Sequence, residues 1–250
     1  MIKRIVPCMD AREGTLVKGV NFEGVREVGD PVEVAEEYDA QGADELCYLD
    51  IAATPTGRET MLETVERIAE RIAIPLTVGG GIRSVDDAAA AFDAGADKVS
   101  INTAAVKDPT LLGELADTYG RQAVVCAIDA DRDGDAWVVY TGGGREPTDR
   151  TLFEWGATAV DHGAGEILYT GIHTDGTTDG YDVEGTRRLS ETVDVPIIAS
   201  GGAGTLEHFA EVLTAGRADA ALAASVFHFG TYTVGEVKRH LDERGVEVRL

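Results

Sequence analysis

Short apolar segments alternate with amphipathic segments along the whole chain. The apolar segments predict strands at residues 5–9, 46–51, 75–78, 99–102, 123–128, 167–170, 196–199 and 220–223. The amphipathic segments, with apolar residues at helical spacing, predict helices at 31–41, 61–72, 85–94, 110–118, 152–162, 183–191, 206–215 and 234–243. Helix-start signals precede three of these segments, at Asp30-Pro31, at Ser84 with Asp87, and at Asp108-Pro109.

Nearly continuous apolar strands that alternate with helices are typical of a parallel sheet covered by helices. Eight such units that close on themselves form a (β/α)8 TIM barrel, and the 250 residues of this chain are a usual length for one. We therefore predict an α/β fold with one barrel domain over residues 1–250.

The two halves of the chain resemble each other. Residues 74–81 match 195–202 at an offset of 121, residues 94–95 match 215–216, and residues 6–10 match 125–129. Any two βα units share apolar strands and glycines, but chance seldom repeats a proline, a glycine pair, an Ala-Gly and a terminal aspartate in one order. The repeat predicts two fused half-barrels, about 1–122 and 123–250, related by a pseudo-twofold axis.

Candidate catalytic carboxylates stand at the ends of the first and fifth predicted strands. Active sites of parallel barrels lie at the carboxyl ends of the strands, which places Asp10 and Asp129 on opposite sides of one mouth. A single aspartate there is more often a cap or turn residue. A symmetric pair suits the acid and base of a multi-step proton transfer.

Two glycine-rich turns follow the third and seventh predicted strands. Such turns leave backbone N–H groups free at a helix N-terminus, where a phosphate fits. The neighbouring strands end in Asn102-Thr103 and Ala224-Ser225, which add further donors. Neither glycine run has the P-loop pattern, which disfavours a nucleoside triphosphate. Two matched turns predict a substrate with a phosphate at each end.

Two of the predicted loops are long, at residues 11–29 and 130–149. The first contains Lys18, which either contacts an anion as part of a lid or belongs to a solvated linker. The second contains a predicted hairpin strand at 136–140 and the glycine run 142–144.

Charged residues stand at the starts of four predicted strands, at the opposite end of the barrel. They are Arg4, Glu45, Lys98 and Glu166. Such residues are usually solvated, but two cations and two anions at one depth can also form a ring of salt bridges across the axis. Because buried ion rings stabilise little, a ring here would indicate a gate.

The charge balance is strongly acidic, with 22 Lys+Arg against 45 Asp+Glu and a net charge of −23. Repulsion from phosphate backbones argues against nonspecific nucleic-acid binding. A lysine-poor acidic surface suits a halophilic cytoplasm, and a merely acidic mesophilic protein is the alternative. The start of the chain lacks a signal-peptide pattern and no apolar run spans a membrane, so we expect a cytoplasmic protein. Cys8, Cys47 and Cys126 lack metal-ligand spacing and are expected to be buried thiols.

The chain resembles the HisF family, the cyclase subunits of imidazole glycerol phosphate synthase, over essentially its whole length. The most specific stretches are DKVSINTAA at 97–105, DGTTDGYD at 175–182, IASGGAG at 198–204 and ASVFHF at 224–229. The resemblance implies that ammonia converts the bisphosphorylated ketose PRFAR into imidazole glycerol phosphate and AICAR, a step of histidine biosynthesis that needs neither a metal nor a cofactor.

The resemblance also implies roles for single residues. Asp10 and Asp129 match the acid/base pair, and Lys18 matches the lysine of a mobile loop. Gly81, Asn102 and Thr103 match one phosphate site, whereas Asp175, Gly176, Gly202, Ala224 and Ser225 match the other. Arg4, Glu45, Lys98 and Glu166 match an ammonia gate.

A partner subunit follows from the same resemblance. Ammonia in this family comes from a HisH-type glutaminase docked at the N-terminal face of the barrel, and a heterodimer is therefore implied. Two alternatives stay open. The first is a HisA-type aminoaldose–ketose isomerase of the same pathway, although the basal charges and residues 175–182 favour the cyclase. The second is a non-catalytic phosphate-binding regulatory barrel.

The acidic composition predicts a salt requirement. At molar KCl the Debye length shrinks to about 3 Å and screens self-repulsion. We expect the folded fraction, measured by far-UV circular dichroism along a KCl series, to fall in dilute buffer. Full stability in dilute buffer would contradict the halophilic interpretation.

Overall fold

The computed structural model describes residues 2–12, 15–20, 23–27, 29–51 and 55–250. Within these ranges the strands are β1 (Arg4–Arg12), β2 (Thr15–Val20), β3 (Glu23–Glu27), β4 (Leu46–Asp50), β5 (Leu76–Gly79), β6 (Lys98–Ile101), β7 (Val124–Asp133), β8 (Ala136–Thr141), β9 (Glu146–Thr151), β10 (Glu166–Gly171), β11 (Ile197–Ser200) and β12 (Ala220–Ala223). The helices are α1 (Pro31–Ala40), α2 (Pro55–Ala69), α3 (Val85–Asp93), α4 (Thr103–Lys107), α5 (Thr110–Tyr119), α6 (Leu152–Asp161), α7 (Val183–Thr192), α8 (Leu206–Thr214), α9 (Ser225–His228) and α10 (Val234–Glu243). None of these described helices is long and apolar enough to cross a membrane.

Eight of the described strands pair in parallel and close into a barrel. Their order around the barrel is β1, β4, β5, β6, β7, β10, β11, β12 and back to β1. Helices connect successive strands, so the predicted (β/α)8 barrel is confirmed. Because β1 and β7 are four positions apart in a ring of eight, they stand on opposite sides of the axis.

Side chains of the barrel strands divide between two buried layers. Alternate residues of a strand point to opposite faces of the sheet. On β1, Ile5 and Met9 join the core beneath the helices, whereas Val6 and Cys8 point inward. We call the inner group the interior cluster; its buried members are Val6, Cys8, Cys47, Val125, Leu168, Ile198, Ala220 and Leu222. All three cysteines are buried and unbridged, as predicted, with Cys126 in the outer layer.

The two long segments predicted as loops contain antiparallel strands. β2 pairs with β1 and with β3, and β7 runs on past the barrel to pair with β8, which pairs with β9. The predicted strand at 136–140 is confirmed as part of β8. Gly134, at φ +61°, makes the tight turn between β7 and β8 that this hairpin requires. β1 and β7 extend beyond the mouth and offer pairing partners to β2 and β8, which in turn pair with the more polar strands β3 and β9.

One helix prediction needed correction, and two short helices were missed. The helix predicted at 61–72 is α2, which begins at Pro55 and ends at Ala69. Residues 55–60 contain no apolar residue apart from the proline, so periodicity could not reveal the first turn, although proline is common at that position. The short helices α4 and α9 were not predicted, because four or five residues carry no helical period.

Main-chain geometry recurs between the two halves of the barrel. The carboxylate of Asp97 accepts a 2.8 Å hydrogen bond from Leu76 N, and that of Asp219 accepts a 3.1 Å bond from Ile197 N at the matching place. The two halves differ at Ala215-Gly216. The residue with a left-handed backbone there is Arg217, at φ +57°, and not the glycine. These recurrences support the predicted half-barrels, whose boundaries stay a prediction.

Candidate active site

Two carboxylates lie across the C-terminal mouth of the barrel. Asp10 follows Val6 and Cys8 on the inner face of β1, and Asp129 follows Val125 on the inner face of β7. The alternation of the strands therefore directs both side chains toward the axis, from opposite sides. The Sγ of Cys8 lies 3.6 Å from Oδ1 of Asp10, and Nδ2 of Asn102 donates a 2.9 Å hydrogen bond to Oδ2 of Asp129.

The environment of Asp129 changes its acidity. Burial penalises the charged carboxylate and raises its pKa from 3.8 to about 6. The hydrogen bond from Asn102 lowers the pKa, and the negative charge of Asp175 raises it. A carboxyl group with such a pKa exchanges a proton near neutral pH, which suits general acid/base work.

The first candidate anion site comprises Gly81, Asn102 and Thr103. Asn102 immediately precedes α4 at φ −115° and ψ −93°, and its buried Oδ1 has no hydrogen-bond partner among the described residues. Thr103 Oγ1 accepts a 3.0 Å hydrogen bond from Gly142 N, in the turn between β8 and β9. A Cβ on the adjacent Gly80 would lie 2.0 Å from the carbonyl oxygen of Asp50, so only glycine permits this turn.

The second candidate anion site comprises Asp175, Gly176, Gly202, Ala224 and Ser225. Its glycine turn is equally close, since a Cβ on Gly202 would lie 2.0 Å from the carbonyl oxygen of Gly180. Ala224 precedes α9 at φ −117° and ψ −68°, near the conformation of Asn102 in the first site. The β10–α7 loop that carries Asp175 closes on itself through a 2.9 Å hydrogen bond from Asp175 N to Gly171 O.

The four basal charges form a closed ring of ion pairs at the N-terminal end of the barrel. Arg4 pairs with Glu45 at 2.8 Å and also with Glu166. Lys98 pairs with Glu45 at 2.9 Å and with Glu166 at 2.8 Å. Burial alone lowers the pKa of Arg4, but the two carboxylates outweigh it and raise the pKa. We call these four residues the basal ring; the alternative of separately solvated charges is wrong.

Comparison with known proteins decides the family. The family described as histidine biosynthesis protein matches residues 4–233. The chain belongs to this family. It is 57% identical over 249 residues to the imidazole glycerol phosphate synthase subunit HisF of Geobacillus thermodenitrificans, covering 99% of both chains. It is 56% identical over 249 residues to the protein of the same name from Exiguobacterium sibiricum, covering 100% of both chains. The HisF resemblance inferred from the sequence is thereby confirmed.

In this histidine biosynthesis barrel, the structure brings together most of the residues singled out from the sequence. Two carboxylates and two glycine turns share the C-terminal mouth, and the four basal charges share the opposite end. Lys18 is the exception, because its backbone lies in β2 but its side chain is outside the described part of the structure. Gly14, in the same predicted loop, also lies outside the described residues.

Two contacts of the site were missed from the sequence. Thr77 Oγ1 donates a 2.5 Å hydrogen bond to Oε1 of Glu45 and so supports the basal ring. The sequence feature that could have revealed this contact is the hydroxyl of Thr77 within the otherwise apolar strand β5. Asn102 was predicted to contact phosphate, but its amide also contacts Asp129. No local pattern joins two residues 27 positions apart.

The raised pKa of Asp129 predicts how stability depends on pH. Between about pH 4 and pH 6 the folded chain holds a proton that the unfolded chain has lost, so the free energy of unfolding falls as pH rises, and the cost persists above pH 6. Asp129→Asn should therefore raise the free energy of unfolding by about 2 kcal/mol at neutral pH and by little at pH 4. Chemical denaturation at both pH values measures this.

The matched control is Asp133→Asn, an exposed carboxylate at the end of the same strand. It should change neither value by more than about 0.5 kcal/mol. A gain for Asp129→Asn that is equal at both pH values would contradict the shifted pKa.

Proposed function

We propose that this chain is the cyclase subunit of an imidazole glycerol phosphate synthase. Its substrate is then PRFAR, and its products are imidazole glycerol phosphate and AICAR. The observation that carries the proposal is the pair Asp10 and Asp129, which face each other across one mouth in a chain 57% identical to a HisF subunit over its full length. A phosphate-binding scaffold has no need of two opposed carboxylates.

The carboxylate pair suits the proton transfers of this reaction. Ammonia adds to the ketone carbon of PRFAR, which requires a proton for the carbonyl oxygen and removal of a proton from the attacking nitrogen. Loss of water leaves an imine, and ring closure with C–N cleavage then releases AICAR. Asp129, with its pKa of about 6, and Asp10 share these transfers as acid and base.

The two anion sites account for a substrate with a phosphate at each end. In both, a glycine turn approaches another backbone too closely for a side chain, and a short helix begins at Thr103 or at Ser225. Backbone N–H groups at these turns are suited to bind phosphate. Sites on the two halves of the barrel hold the ligand by both ends, which fixes its reacting centre between Asp10 and Asp129.

The basal ring and the interior cluster support an ammonia path along the axis. The ring lies at one end of β1 with Arg4, and Asp10 lies six residues further along the same inner face, about 20 Å away. Most side chains between them are apolar, and the buried Ser100, which pairs with Val125, adds a hydroxyl. Such a lining suits neutral ammonia better than ammonium. We propose that a glutaminase subunit docks at the ring end and supplies this ammonia.

The first experiment tests the carboxylates. Wild-type chain in concentrated KCl should consume PRFAR in the presence of ammonium salt. Asp10→Asn and Asp129→Asn should each lower kcat at least about 100-fold, because general acid/base groups contribute that much, with little change in ligand affinity. Turnover is followed by the release of AICAR, and affinity by titration with imidazole glycerol phosphate.

Asp133→Asn serves as the control and should keep wild-type turnover. Conversion of the aminoaldose precursor to the ketose, without consumption of PRFAR, would make the chain a HisA-type isomerase. Equal losses of turnover and affinity in the two variants would overturn their role as acid and base.

The second experiment tests the gate. Lys98→Met breaks the basal ring. Lys3→Met is the control, because Lys3 adjoins Arg4 in the chain but pairs with Asp219, and its side chain is 19% exposed, against 18% for Lys98. With a glutaminase subunit added, Lys98→Met should change glutamine-driven turnover several-fold and leave turnover with free ammonia within about twofold. Lys3→Met should change neither. Equal effects on both nitrogen sources would contradict a gate.

A further inference from the structure

A buried carboxylate outside the proposed catalytic pair joins three elements near the mouth. Asp182 is 7% exposed and immediately precedes α7. Its Oδ2 accepts hydrogen bonds from Trp137 Nε1 on β8 at 2.5 Å and from the Tyr169 hydroxyl on β10 at 2.6 Å. Its Oδ1 accepts a 2.9 Å bond from Gly185 N in α7. Because a buried charge needs such donors, these contacts hold the three elements together.

The space around this carboxylate is fully used. A Cβ on Gly185 would lie 2.2 Å from Oδ2 of Asp182 and 2.7 Å from Nε1 of Trp137, so α7 approaches only because residue 185 has no side chain. The indole of Trp137 is held on its faces as well. The guanidinium carbons (Cζ) of Arg132 and Arg188 each lie 4.8 Å from the centroid of its ring, a distance typical of cation–π contacts.

The elements joined at Asp182 are those that carry the candidate active site. Trp137 lies on β8, the middle one of the three antiparallel strands β7–β9. The first of them, β7, carries Asp129, and the turn between β8 and β9 contacts Thr103 through Gly142. Tyr169 belongs to β10, which leads into the loop with Asp175. His173 in that loop lies between β7 and Asp182. Its Nδ1 is 3.4 Å from Asp131 Oδ1 on β7, and its Nε2 is 4.0 Å from Asp182 Oδ2.

We propose that Asp182 is a positioning residue. Through Trp137 and Tyr169 it fixes the antiparallel strands β7–β9 against the β10–α7 loop, and so it sets the geometry of the mouth. The proposal rests on the proposed cyclase function. Asp182 itself does not touch the reacting atoms in this scheme. Its effect is transmitted by the strand that carries Asp129 and by the loop that carries Asp175.

The two tryptophans of the chain provide a matched test. Trp137→Phe removes the indole N–H that donates a hydrogen bond to Asp182. Trp155→Phe removes an indole of equal size that is also fully buried and lies 4.7 Å from the guanidinium of Arg150, but its Nε1 has no hydrogen-bond partner among the described residues. Both variants replace a buried indole by a smaller ring, and only Trp137→Phe loses a hydrogen bond to Asp182.

In the ammonia-dependent assay, Trp137→Phe should lower kcat about tenfold and change KM less than about threefold, since small displacements of catalytic groups cost turnover. Trp155→Phe should keep kcat within about twofold of wild type. Tyr169→Phe, which removes only a hydroxyl, should repeat the effect of Trp137→Phe. Backbone amides of residues 136–151 should exchange hydrogen faster in Trp137→Phe than in Trp155→Phe.

Equal kcat in wild type, Trp137→Phe and Trp155→Phe would overturn the proposal, and so would equal losses in the two tryptophan variants. Unchanged hydrogen exchange at 136–151 would also overturn it, independently of any assay. Absence of turnover in the wild-type chain would instead count against the cyclase function, so the two failures are distinguishable.

Discussion

Closure of the parallel barrel with alternating side chains is the constraint on which the other features depend. Once eight strands meet around one axis, every second residue of each strand points into the same narrow space. Arg4, Val6, Cys8 and Asp10 are therefore stacked along one inner face of β1, with charge at the bottom, apolar side chains in the middle and a carboxylate at the mouth. The position of each residue along its strand decides which layer it occupies.

The basal layer shows what this constraint costs. Removing charges from water is expensive, and a buried ion pair seldom recovers more than it loses. The ring limits the loss because its two cations and two anions balance and each glutamate contacts both cations. A hydrophobic plug would fill the same space with less penalty, so stability alone does not account for the ring. A polar closure of an apolar interior fits a controlled entrance better than it fits a core.

The mouth combines repeated and unrepeated parts. The glycine turns and the short helices after β6 and β12 have matching conformations in the two halves, as expected for a ligand with two similar ends. Antiparallel strands extend from the mouth in both halves, as β1–β3 and as β7–β9. The hydrogen-bonded cluster of Trp137, Tyr169 and Asp182, which we call the Asp182 hub, joins β8, β10 and α7, and all three belong to the second half. The matched turns and short helices are suited to bind the two ends of a ligand, and the Asp182 hub is suited to fix the strands beside them.

The sequence by itself determined the repeating βα units, the family, and the residue types at the strand ends, because these depend on local periodicity and on motifs within a few residues. It placed Asp10 and Asp129 on opposite sides, since strand order fixes their positions in a closed barrel. Only the tertiary structure decided which side chains meet. The basal ring, the contact of Asn102 with Asp129 and the hub of Trp137, Tyr169 and Asp182 all join different elements of the fold. Such contacts depend on register and burial across the barrel, which no short stretch of sequence encodes.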